Sequence, residues 1–433
     1  MTLKRALLLL IVCASIAAVA RAQAPAAAET FDAVWKIVRD THFDPAFDQA
    51  KWEQVKSELR PKAAAAATQG ELRAVLADML ARLGLSHFAV IPASPDAPGE
   101  RTNLAGQPGF DVRLLDGQIV VTAVDANGGA AGAGVHPGWV VQRVGDTAMD
   151  TLLAAIPAST PERLRNVEAW RVAQTRLRGA PGSTLSVTFL DGAAAPVAKE
   201  IRRESETGEP VTVGSLPTMY VRVTSRTMET PGGRHAGVIG FNVWMTAVDR
   251  AFQAAMDEDR RADGIVIDLR GNPGGLAAMI MGISGHFVSE RATLGVMKTK
   301  QQELRFVANP RLVTASGERV TPYAGPVAIL VDGMTGSASE CFAGGMQSLG
   351  RARVFGQTSM GQALPALFDR LPNGDVLIHA WGDFVTGTGV RIEGRGVVPD
   401  NRVALTRADL LAGRDATLEA ALDWVDAESA KAR

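Results

Sequence analysis

Ser337 stands in the segment Val331-Asp-Gly-Met-Thr-Gly-Ser-Ala-Ser-Glu-Cys341, after an apolar run and at the start of a helical one. A hydroxyl at such a junction can act as a nucleophile, because the unpaired N–H groups of a helix start favour negative charge developing beside it. That chemistry also needs a base, a group to orient the base, and N–H donors for an oxyanion. The same residues allow a second reading: Ser337-x-x-Glu340 is a capping box, in which Ser337 does no more than begin the helix. Histidine is the ordinary base because its pKa lies near neutrality, and the chain has six. His42, His136, His235, His286 and His379 stand in contexts that single out none of them, whereas His87 closes the segment Leu83-Gly-Leu-Ser-His87. An oxyanion site can form at Asp268-Leu-Arg-Gly-Asn-Pro-Gly274-Gly275, where two adjacent positions without a Cβ let backbone approach a ligand. Arg270 and Asn272 are expected to pin this loop. It has neither phosphate-binding glycine pattern, and no His/Cys/Asp cluster has metal-ligand spacing, so no metal and no cofactor are expected. Cys341, one helical turn past Ser337, reads as a packed thiol.

The elements that must position these residues follow from the 433-residue length, which implies more than one domain. With 46% hydrophobic and 21% charged residues and a net charge of -1, the chain is an ordinary globular one. The balance of 45 basic and 46 acidic residues argues against a nucleic-acid partner. The only long apolar run, Ala6 to Ala20, follows Lys4 and Arg5 and ends at Ala20-Arg21-Ala22. This reads as a secretory signal peptide over 1–22, with no membrane insertion after its removal and a periplasmic or secreted location. A retained anchor is the other reading, although the run is short for a span. Cleavage would remove Cys13 and leave Cys341 as the one thiol, excluding an internal disulfide.

Three- and four-residue apolar spacing from Thr30 to about Pro92 predicts a helical cap, 23–95, ending at the linker Pro92 to Gly99. A β-rich module, 103–205, has a hairpin at Asp116-Gly117, a helix over Pro161 to Leu177 and a strand over Leu185 to Leu190. From 212 to 430, strands such as Gly264 to Arg270 and Val327 to Val331 alternate with helices, an α/β architecture.

Within the β-rich module, Ala133-Gly134-x-x-Pro137-Gly138-x-Val140 and Leu177-Arg-Gly-Ala-Pro-Gly-Ser183 resemble the PDZ domain of C-terminal processing peptidases. The resemblance implies that Gln107, Pro108, Gly109 and Phe110 form the loop that takes a chain-terminal carboxylate, with the peptide adding as a strand. A β-rich spacer that binds no peptide is the other reading. The stretch from Ser337 to Gln362 likewise resembles the nucleophile region of those peptidases, with one departure: the family's general-base lysine falls at Gln362. A neutral amide cannot take the proton. Leu83 to His87 resembles the "LG-x-SH" segment of the tricorn core protease branch, and Glu393-Gly-Arg-Gly-Val-Val-Pro-Asp400 resembles its "E-x-x-G-x-x-PD" segment.

Carried over by residue, these likenesses imply a crotonase-like ββα-superhelix core with an N-terminal helical cap and an inserted PDZ-like domain. They imply a serine endopeptidase acting on protein or peptide substrates, with Ser337 as nucleophile, His87 as base, Ser86 and Glu393 supporting it, and the N–H groups of Gly274 and Ala338 holding the oxyanion. Taken singly, the residues have plainer readings: His87 as a half-buried structural histidine, Glu393 as a solvated loop charge and Ser86 as a hydroxyl satisfied by the preceding turn. The same core also carries binding proteins for apolar ligands, so a non-catalytic carrier or a PDZ-led adaptor is the alternative.

Overall fold

Unbroken apolar runs bounded by polar turns suit strands buried on both faces, and Gly264–Asp268 and Val327–Val331 are such strands, paired in parallel with Val266 opposite Ala328. A computed structural model describes residues 27–93, 105–214 and 218–431; the expected leader over 1–22, with Cys13, and the linker from residue 94 to 99 lie outside the described residues. The paired runs are the centre of a six-stranded sheet in the order Val223–Glu229, His235–Phe241, Gly264–Asp268, Val327–Val331, Arg353–Gly356 and Asn401–Arg402. The first pair is antiparallel and the rest are parallel. Ile265, Ile267 and Ile329 pack on one face with Phe252 and Phe342 of the helices Ala247–Glu258 and Ala338–Ser348. Val266, Ala328 and Leu330 pack on the other with Leu418, Leu422 and Val425 of Ala416–Lys431. Each such fully buried aliphatic contributes about 1.5–3 kcal/mol, so the strand that leads into Ser337 is rigid.

The Asp116-Gly117 hairpin forms as its sequence predicts: both residues take positive φ, 50° and 76°, the geometry of the tight turn that matches strand twist. Its strands, Phe110–Leu115 and Gln118–Val124, begin a sheet continued by Val140–Val144, Thr184–Leu190 and Pro196–Arg202. The helix Glu162–Leu177 begins after Pro161, where a missing N–H costs nothing, and buries Ala169, Ala173 and Leu177 against Val112.

In the N-terminal part, a helix over 27–41 packs Phe31, Val34, Trp35 and Val38 against Leu72, Leu76, Met79 and Leu80. The helices Gln49–Ala65 and Gln69–Ala81 start at Asp48 and Thr68, whose side chains accept the N–H groups of Lys51 and Glu71. The helical expectation up to Pro92 is corrected here. Gly84 turns the chain at φ 64°, and Ala89–Ile91 is a strand, antiparallel to Val376–Ala380 with Ala89 opposite Ile378. A three-residue strand has too few residues to display a period, and its partner is remote in sequence.

That strand joins the helical part to the core, and two further contacts reinforce it. Leu371 and Leu377 fill the helices' own core. Arg73 Nε and Nη2 donate to Asp375 Oδ2 and Oδ1 at 2.9 and 2.7 Å, and Ala93 N–H donates to Oδ1 at 2.9 Å. Burial pushes the Asp375 carboxyl up, but the hydrogen bonds of Arg73, Ala93 and Asn373 outweigh it and hold it below its ordinary value. Its stabilising contribution is therefore present above the unfolded carboxyl's pKa and is lost as pH falls through the folded one. Removing one partner of a buried pair strands the other charge, so Asp375→Asn is expected to cost about 3 kcal/mol, read by urea unfolding; a loss under about 0.5 kcal/mol, the scale of an ordinary surface substitution, would refute this.

Candidate functional site

Ser337 occupies the turn between the buried strand Val327–Val331 and the helix Ala338–Ser348, at φ 52° and ψ −118°. A side chain there costs roughly 1–3 kcal/mol and persists only where its surroundings impose it. Here they do. Ser337 N–H donates to Gln362 O at 2.9 Å and to Glu340 Oε2 at 3.0 Å, Gly336 N–H to Asn272 O at 3.0 Å, and Met360 N–H to Thr335 O at 2.9 Å. Among the described residues, the non-glycine positions with positive φ are His87, Asp116, Ala194 and Ser337. Asp116 and Ala194 turn hairpins; the other two are the pair singled out above.

Ser86, His87 and Glu393 are brought together across 307 residues of sequence. Glu393 is buried, not a solvated loop charge. Its Oε1 accepts Ser86 N–H at 3.0 Å, and its Oε2 accepts Ser86 Oγ–H at 2.9 Å and Ala363 N–H at 2.9 Å. Ser86 Oγ, its one proton given to the carboxylate, can only accept from His87 Nδ1, which lies 2.8 Å away. The proton on Nδ1 leaves a lone pair on Nε2, the tautomer a general base requires. Burial pushes the His87 imidazole down to about 4, so it is neutral near pH 7.

Ser337 and His87 share no direct hydrogen bond among the described residues; a backbone relay joins them. Gln362 accepts Ser337 N–H through its carbonyl, and the next residue, Ala363, gives its N–H to Glu393, the acceptor of Ser86. Gly394 N–H also donates to Gly361 O at 2.9 Å. Catalytic contacts that are open in a ligand-free site commonly tighten on substrate. Nothing in this relay uses the Gln362 side chain.

Gly274 lies against the backbone of Ser337: a Cβ there would come within 2.5 Å of Ser337 Cβ and 2.9 Å of Ala338 N, at a φ of 105° that suits glycine. The Gly274 N–H itself donates to Asn272 Oδ1, two residues back in the same loop, at 3.0 Å. Ala338, the first residue of its helix, has no carbonyl behind it within the helix to receive its N–H. Asn272, buried, also donates to Phe241 O at 2.8 Å, and Arg270 pairs with Asp268 and Asp415, so both pin the loop as expected. Cys341 is buried and its thiol is pushed well up by desolvation, a poor nucleophile.

Gln107 to Phe110 lie elsewhere, in the β-rich module. Gln107 pairs with Glu204, the carbonyls of Pro108 and Gly109 accept Ala130 and Asp125 N–H at 2.8 Å each, and Phe110 is buried against Phe189. The module nevertheless reaches the site. Arg113 bridges Asp111 and Asp332, and Asp332 accepts the N–H groups of Gly271 and Met334. Arg163 donates to Met360 O at 2.8 Å, while Val167 packs with Met334 and Met360. No local pattern marks Arg113, Arg163 or Asp332, whose partners lie far along the chain. Glu340 showed itself only through its capping-box position.

Residues 220–403 match the family model described as Peptidase family S41, and residues 25–81 match that of the Tricorn protease C1 domain. The carboxyl-terminal-processing protease of Picosynechococcus sp. is 24% identical over 412 residues, spanning 92% of this chain and 89% of that protein. Among solved structures, the photosystem II D1 C-terminal processing protease aligns with a TM-score of 0.55 at 21% identity over 86% of this chain and 92% of the other. Mature CPAF complexed with lactacystin aligns with a TM-score of 0.60 at 11% identity over 94% and 98%. These likenesses share a mixed α/β fold with N-terminal helices. The first model spans Ser337, Gly274 and Glu393; His87 lies beyond both.

Two measurements test this geometry. By NMR, the His87 ring should titrate at about 4, against about 6.5 for a free histidine. The unfolded chain then takes up a proton that the folded one refuses, so stability contributed by this group falls as pH drops from 6.5 toward 4; a midpoint near 6.5 would contradict the burial. Gly274→Ala should lower stability by about 1 kcal/mol or more, read by urea unfolding, and unchanged stability would show that the close approach tolerates a side chain.

Proposed function

We propose that this chain, a member of serine peptidase family S41 and so a hydrolase, cleaves internal peptide bonds of protein substrates through an acyl-enzyme on Ser337, with His87 as general base. Ser337 Oγ attacks the carbonyl carbon and its proton passes to His87 Nε2. The carbonyl electrons move onto oxygen, which Ala338 N–H receives together with Gly274 N–H, shared with Asn272. As the intermediate collapses, the C–N bond breaks and His87 returns the proton to the leaving amine. Water then attacks the acyl carbon, again losing a proton to Nε2, and Ser337 Oγ regains it. Glu393 and Ser86 hold the Nδ1–H tautomer and offset the charge that His87 acquires.

The observation that carries this reading is the chain from Glu393 through Ser86 Oγ to His87 Nδ1, at 2.9 and 2.8 Å, which leaves Nε2 as an acceptor. Gln362 in place of a lysine fits it, since a base is then needed from elsewhere. The reading includes a crotonase-like core over 212–430, a helical cap over 23–95 and a PDZ-like module over 103–205. In that module Gln107 to Phe110 would receive a substrate's terminal carboxylate, beside the outer strand Phe110–Leu115. It also includes export, supported by Lys4, Arg5 and the apolar run after them.

A fluorophosphonate probe, mapped by mass spectrometry, tests the assignment. Ser337 should be labelled; Ser337→Ala should lose labelling and peptide hydrolysis while costing at most about 1 kcal/mol of stability. His87→Ala should lower kcat/KM roughly a hundred- to ten-thousand-fold, and Gln362→Ala should keep most activity. Hydrolysis surviving in Ser337→Ala would sink the proposal, and full activity in His87→Ala would remove the base.

A further inference from the structure

Glu340 has more contacts than a helix cap requires. Its Oε2 accepts the N–H groups of Ser337 at 3.0 Å and Gln362 at 2.9 Å, and its Oε1 accepts Ser359 Oγ–H at 2.5 Å and Gly361 N–H at 2.6 Å. Ser359 Oγ in turn accepts Val397 N–H at 2.6 Å. Every partner is a donor, so the group fits as an acceptor-only carboxylate. It is fully buried, 0% exposed, and among the described residues no lysine or arginine pairs with it. A capping glutamate ordinarily contributes about 1 kcal/mol from the surface, whereas burying a carboxylate costs several. A cap alone would not justify that cost.

We propose that Glu340 is a positioning residue for the Ser337 nucleophile: its carboxylate ties the strained serine turn to the 359–362 segment and so sets it in register with the Glu393–Ser86–His87 chain. The proposal rests on the reading of Ser337 as nucleophile. The topology favours it. Glu340 holds the N–H groups of residues 361 and 362, and Glu393 holds that of residue 363, so consecutive amides of one segment are shared between the carboxylate behind the nucleophile and the carboxylate behind the base. Ser337, at φ 52°, receives its N–H acceptors from this same pair of neighbours, Glu340 and Gln362. Ser359 extends the tie to Val397, past Glu393 on its own segment.

Burial pushes the Glu340 carboxyl up to about 7, against the pull of its four donors. The titratable and charged groups nearby are the Cys341 thiol, Glu393 across the shared segment, and Arg163, which reaches Met360 O from the β-rich module. A protonated Glu340 points an O–H where it had accepted, so a donor loses its partner and the serine turn loosens. The sign for stability is the reverse: with the folded pKa above the unfolded one, the ionised group costs stability, and that cost is relieved as pH falls from about 7 toward the unfolded value. Reactivity and stability should therefore move in opposite directions, which a merely structural glutamate would not produce. His87, down at about 4, stays neutral across this window and does not supply the change.

The test is the rate of fluorophosphonate labelling of Ser337 in the purified full chain between about pH 5 and 9, with thermal unfolding followed in parallel. The wild-type rate should fall as pH drops through about 7. Glu340→Gln should label roughly a hundredfold more slowly, the scale of a misplaced reacting group, and with no such fall. If it labels at the wild-type rate with the wild-type profile, the proposal is overturned. Should that variant fail to fold, Ser359→Ala decides: losing one donor should move the fall to higher pH, and an unmoved profile overturns the proposal. Absence of wild-type labelling at every pH would instead overturn the nucleophile reading, and this proposal with it.

Discussion

The carboxylate of Glu393 is the acceptor on which the site's proton arrangement depends. By taking both the N–H and the O–H of Ser86, it leaves that serine able only to accept from His87, and so fixes which ring nitrogen carries the proton. By taking Ala363 N–H as well, it links the histidine to the segment lying against Ser337. Hydrogen bonds to a carboxylate are stronger than those between neutral groups, and burial removes competing water. A single side chain thereby sets tautomer, orientation and register together.

Such an arrangement demands that the pieces bearing it do not drift. The strand Ala89–Ile91 follows His87 almost at once and is paired to the core, and the Arg73–Asp375 contact fixes the helices behind it. On the other side, the buried strand Val327–Val331 and the Gly274 loop leave Ser337 little freedom. The β-rich module leans on the same loops through Arg113 and Arg163, so a shift there would be felt at Asp332 and Met360.

Much of this was legible from local chemistry. The turn at Asp116-Gly117, the helix beginning after Pro161 and the apolar strands of the core declared themselves because each follows from conformational preference or period within a few residues. Ser86, His87, Ser337 and Glu393 could be named because whole motifs carried them. What escaped notice depends on partners distant in sequence: the strand Ala89–Ile91, the antiparallel sheet of Glu303–Ala308, Ala292–Thr299 and Gly382–Thr386, and the Arg113–Asp332 pair. The bond from Gly274 N–H to Asn272 was hidden for a related reason, since it depends on the rotamer of Asn272. Glu340 was the subtlest case, because the spacing that marks a surface cap is also the spacing of a buried hub.

The distance in sequence between Ser86 and Glu393 bears on how the protein is made. Glu393 leaves the ribosome 307 residues after Ser86, which at usual synthesis rates is roughly 15 to 60 s later. Throughout that interval the histidine lacks the carboxylate that orders its proton, and the Val376–Ala380 strand that fixes its segment arrives almost as late. The nascent chain therefore lacks the completed Glu393–Ser86–His87 arrangement over that interval. Chain order alone delays that arrangement until residue 393 has been made.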